Sequence, residues 1–174
     1  MGSKMPQQKT SALVDIICEY GYDRDDKLGK GDHKVYVNPY FPMLKITLYA
    51  QRETSENVAR GVYAYLALID EITGEDRSKI FENYEKIGEH KDMIKQNRSW
   101  GKYLQDALKS FKDENGQPYD SPAQYEKFIR QQREKWLQTR FEEIKAEKGV
   151  VEARAFVAKQ KQYYAKRGGM QWVF

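Results

Sequence analysis

Asp23, Asp25, Asp26, Asp32 and His33 crowd four carboxylates and an imidazole into one short stretch. These groups hold a hard cation or run metal-assisted hydrolysis, provided the chain makes them converge. Their spacing fits no ion loop: a calcium loop opening at Asp23 wants glycine at its sixth position and an acid at its twelfth, where Leu28 and Lys34 stand. The stretch reads as a solvated turn ahead of a strand, and no metal ligand is assigned. His90, after Gly88-Glu89, has no nucleophile or orienting carboxylate at a fixed offset and reads as a helix-junction residue. Cys18 follows Ile16 and Ile17, an apolar setting that raises a thiol's pKa, so it reads as a buried, reduced core residue. Gly29-Lys30-Gly31 lacks the frame of a phosphate-cradling loop. No catalytic residue and no cofactor follow from these patterns, and the balance is against an enzyme.

The C-terminal segment has a different chemistry. Lys159, Lys161, Lys166 and Arg167 interleave with Tyr163, Tyr164 and Trp172, types that neutralise phosphates and stack on unpaired bases. The competing reading makes Phe156, Tyr163 and Tyr164 the apolar face of a helix whose lysines are solvated. Beyond Gly168-Gly169, Met170, Trp172 and Phe174 alternate as one face of a strand would. Such an ending calls for burial, either as a third strand on the protein's own hairpin or in a partner. Arg130, four residues from both Glu126 and Glu134, reads as part of a salt-bridged, exposed helix face.

Charge concentrates at the same end. The last 27 residues hold six basic side chains against the single Glu152, while the whole chain carries +4. A near-neutral body with a basic end is therefore expected to meet an anionic partner through that end. At 174 residues, 40 % hydrophobic and 13 % aromatic, the chain can form a core despite 32 % charged residues. The longest strongly apolar run, Val62–Ile69, is far short of the roughly 20 residues a membrane span needs, so no membrane insertion is expected. The N-terminus lacks the apolar stretch of a secretory signal, and Cys18, as the only cysteine, allows no internal disulfide. An intracellular setting follows: cytoplasm, organelle interior or virion.

The elements that must position these residues are mostly helical. Leu13, Ile16, Ile17 and Tyr20 predict a helix over 11–20, and alternation over 34–37 and 43–51 around Asn38-Pro39-Tyr40-Phe41-Pro42 predicts a hairpin. Val58, Val62, Tyr65, Ile69 and Ile72 mark a central buried helix over 55–73. Two further helices are expected over about 76–88 and 92–111. Ser121-Pro122-Ala123-Gln124 combines a hydroxyl cap with proline at the first helical position. It opens a helix to about Glu147, with Tyr125, Phe128, Ile129, Gln132, Trp136, Phe141 and Ile144 on one side. Gly149 breaks it, and Val150–Lys166 forms the last helix.

The fold expected is α+β, mainly α, with about six helices, one small β-hairpin and a long C-terminal helical arm. In domain terms, 1–10 is a disordered N-terminus or an expression scar, 11–112 a compact α+β body, 113–120 a linker and 121–174 the arm with its basic, apolar-tipped end. The function expected is a non-enzymatic interaction or assembly subunit of a larger complex or virion. Its partner, another protein or a second copy, is contacted through the arm, with Met170, Trp172 and Phe174 as partner-binding residues. The alternative is a nucleic-acid-binding accessory protein using Lys159, Lys161, Tyr163, Tyr164, Lys166 and Arg167. A metal-dependent hydrolase built on 23–33 stands well behind both.

Overall fold

The computed structural model describes residues 8–74 and 107–166. The described residues divide into two compact units, one holding 8–67 and the other 68–74 with 107–166. In the first unit, β1 (Gln8–Lys9) leads into α1 (Thr10–Glu19). Leu13, Ile16, Ile17 and Tyr20 are all buried, as their i, i+3, i+4, i+7 spacing requires. Then come β2 (Asp23–Arg24), β3 (His33–Val37), β4 (Ile46–Tyr49) and β5 (Glu53–Thr54). The helix α2 (Glu56–Thr73) follows.

β3 lies between β2 and β4 in an antiparallel sheet, with Arg24 opposite Tyr36 and Lys34 opposite Leu48. Tyr36, Ile46 and Leu48 are buried while Thr47 and Tyr49 are exposed, so the two faces differ as strand alternation dictates. The connection from β3 to β4 is tied down by buried polar groups. Asn38 Nδ2 donates to Tyr20 O at 2.9 Å, and Asn38 Oδ1 accepts from Tyr40 N at 3.1 Å. The buried Tyr22 hydroxyl donates to Leu44 O at 2.7 Å, and burial, with Tyr65 nearby, pushes its pKa well up. β1 pairs with β5, and the Thr10 and Thr54 hydroxyls meet at 2.8 Å. Ala59, Val62, Tyr63, Ala64 and Leu66 of α2 complete this core.

The second unit takes Leu68, Ile69 and Ile72 from the end of α2, with α3 (Pro122–Lys148) and α4 (Val150–Lys166) packed on each other. α3 starts where its sequence places it: Ser121 Oγ accepts from Gln124 N at 3.2 Å, with Pro122 at the first helical position. Its buried face is Tyr125, Phe128, Ile129, Gln132, Trp136 and Leu137. Phe141 and Ile144 are only half-buried. At about 100° per residue they fall well off the line of Tyr125 and Trp136, which Glu143 and Glu147 continue instead.

The expected mainly helical fold of about six helices and one hairpin is corrected. The described residues hold four helices, and the hairpin is part of a three-stranded antiparallel sheet. Asp23-Arg24 escaped the sequence pattern because the strand is two exposed polar residues long, too short to alternate. The helix expected over 76–88 lies outside the described residues, as does all of the one over 92–111 before residue 107. Of residues 107–111, only 107–108 are helical, with Leu108 fully buried.

A carboxylate organises the approach to α3. Asp113 Oδ1 accepts from the backbone N–H of Asn115 and of Gln117, both at 2.9 Å. Its Oδ2 accepts from Gln124 Nε2 at 3.0 Å and Lys127 Nζ at 2.8 Å. Lys127 also reaches Glu114 at 2.7 Å. The Asp113 side chain is 2 % exposed. The hydrogen bond from Lys127 first, then those from Gln124 and Gln117, hold its carboxyl well below the usual range, and Lys127 is raised to about 12. A carboxyl depressed in the folded state contributes stability that is complete above its unfolded pKa of about 3.9 and is lost as pH falls toward the folded value. Thermal melts from pH 5 down to about pH 2 should therefore fall more steeply for the wild type than for Asp113→Asn. Parallel acid limbs would show that this carboxylate is not coupled to folding.

Candidate functional site

The acidic stretch 23–33 is built as a strand and turns. Asp23 pairs with Val37 in the sheet, Asp25 N donates to Val35 O at 2.9 Å, and Asp25 Oδ1 accepts from Lys27 N at 2.9 Å. Asp26 pairs with Arg24 at 3.0 Å, and Asp32 O accepts from Ala50 N. The His33 ring stands edge-on to Tyr49, with centroids 4.6 Å apart. Among the described residues, no group of three or more His, Cys, Asp or Glu side chains could hold a metal. Lys30 O closes a turn by accepting from His33 N at 3.1 Å.

Cys18 is exposed, which corrects the expectation of a core thiol. It directly follows Ile17, and one helical step of about 100° carries it off the buried face. Partial desolvation, then the carboxylates of Asp23, Asp15 and Glu19, push its pKa up and away from the nucleophilic thiolate. His90 lies outside the described residues.

On α4 the buried or half-buried side chains are Ala153, Phe156, Val157, Gln160 and Tyr164. Lys159 and Lys161 project to solvent, and Tyr163 is 43 % exposed. The two tyrosines thus part company. Tyr164 donates its hydroxyl to Ile72 O at 3.3 Å, and its ring lies beneath the Arg133 guanidinium. Arg133 donates from Nη1 to the same Ile72 O at 3.1 Å and from Nη2 to Gln160 O at 3.0 Å. One guanidinium therefore joins the C-terminal end of α2, the middle of α3 and α4, where a helix end leaves carbonyls in need of donors. Gly74 closes α2 with φ +73°, its N–H donating to Asp70 O at 2.8 Å. A Cβ on Gly74 would lie 2.9 Å from Tyr164 Cε2 and 3.3 Å from the Tyr163 ring. The side chain of Lys166, and Arg167, Met170, Trp172 and Phe174 entirely, lie outside the described residues.

Sequence reasoning missed Arg133, whose partners are a backbone carbonyl 61 positions earlier and another 27 positions later. It placed the break between the last two helices at Gly149 but missed what that turn exposes. After Leu137, no described residue is buried until Ala153, and Val150 and Val151 are 38 % and 75 % exposed. The signal was present in two adjacent valines following a helix-ending glycine. Arg140 packs over the Phe156 ring and pairs with Glu143 at 2.7 Å. Trp136 meets Phe156 edge-on at 6.0 Å between centroids. No ion pair joins Arg130 to Glu126 or Glu134, all three being exposed among the described residues.

No described helix is long and apolar enough to cross a membrane. Compared with known proteins, the chain matches no family model, no curated protein and no solved structure.

Gly74→Ala and Gly116→Ala form a controlled pair. Both sites have positive φ, +73° and +75°, but a Cβ at Gly116 meets nothing within 4 Å. Each substitution should cost about 1 kcal/mol for the left-handed backbone. Gly74→Ala should cost more, because the tyrosine rings must shift, and it should lower the melting midpoint further, each kcal/mol being worth about 2–4 °C in a chain of this size. Equal shifts would show that the rings do not rest on Gly74. Because the carboxylates of Asp25 and Asp26 are turned to Lys27 N and Arg24, and no three acidic or imidazole groups converge among the described residues, a chelator should leave the melting curve unchanged. A fall of many degrees would reinstate the acidic stretch as a metal site.

Proposed function

We propose that the chain is a non-enzymatic interaction or assembly subunit that meets a protein partner through its C-terminal helices. The observation that carries this reading is the far end of the α3–α4 pair. There α3 runs on to Lys148 beyond its last buried residue, Leu137, and the turn presents Val150 and Val151 to solvent. Adjacent apolar side chains left exposed and rimmed by charge are the kind of surface that contacts with other proteins use. Met170, Trp172 and Phe174 belong to the same proposal as further contact residues. The setting proposed is intracellular, supported by a single cysteine and no disulfide.

A charge placed at Val151 should separate contact from folding. Val151→Asp should leave the melting midpoint of the isolated chain within about 2 °C, since surface substitutions cost under about 0.5 kcal/mol. It should also abolish nuclease-resistant capture of protein partners from the source lysate, as should truncation after Gly169. Capture that survives both changes would overturn the proposal.

A second reading keeps nucleic acid as the partner, and the observation favouring it is the exposure of Lys159, Lys161 and Tyr163 on α4. Tyr164 does not add to that surface, because its ring and hydroxyl are engaged with Arg133 and Ile72. Affinity for a single strand should then fall with salt, and Lys159→Glu with Lys161→Glu should flatten the log–log slope by about 0.7 per lost phosphate contact. An unchanged slope would remove this reading.

A further inference from the structure

No further inference is drawn: the strongest candidate, the solvent-facing row of Val151, Ala155, Ala158 and Ala165 along the last helix, belongs to the surface already proposed, and nothing in the structure shows what covers it.

Discussion

In the second unit, the interaction on which the rest depends is the Arg133 guanidinium. A charged side chain inside a packed helix pair is tolerable only if its donors find acceptors, and helix ends supply unsatisfied carbonyls of the right sign. Ile72 O at the close of α2 fills that role, Gln160 O within α4 accepts a second donor, and the flat face of the group rests on Tyr164. A lysine could not reproduce this, because a point ammonium has no planar fork and no stacking face. The arrangement also suits Gly74: with two tyrosine rings close over the chain where α2 ends, any side chain there would push the rings aside.

Seen from that contact, the C-terminal basic–aromatic cluster is not one surface. Its sequence order invites reading Tyr163 and Tyr164 together, but neighbouring helical positions point about 100° apart. Tyr164 packs inward with Ala153, Val157 and Gln160, and Tyr163 is left at the margin with Lys159. What the unit offers to solvent on α4 is Arg154, Lys159 and Lys161 beside a row of small apolar side chains, and what it offers at the α3–α4 turn is apolar.

What could be read from residues alone followed the range of the interaction. The start of α3 was legible because a hydroxyl, a proline and a glutamine within four positions fix it locally, and its end because Gly149 stands there. The core face of α1 was legible for the same reason, although Cys18 was misjudged by treating neighbours in sequence as neighbours in space. β2 was not legible, since Asp23 and Arg24 become a strand only by pairing with Val37 and Tyr36. The Arg133 junction was beyond reach, because nothing near residue 133 announces a carbonyl at residue 72. Of the candidate site, the exposure of Lys159 and Lys161 fits a solvated helix face, while two valines after a glycine look, in sequence, like any helix start.

The last turns of α3 show how a helix can outlast its own core. From Gln138 on, Glu143 and Glu147 occupy the line that Tyr125 and Trp136 held, so the inward face stops being apolar and burial stops with it. The helix persists because its local terms suffice. Its residues are mostly strong helix formers, Gln138 bonds Glu142 at 3.2 Å, Arg140 pairs with Glu143, and Lys145 and Lys148 sit in the last turn, where positive charge suits the helix dipole. Such pairs contribute only about 0.2–0.5 kcal/mol each, far less than burial of one large side chain. They can hold a helix in shape but cannot draw it into a core. That is why Val150 and Val151, just past its end, remain in water: the turns that lead to them are held mainly by bonds along their own axis and draw no core around the valines.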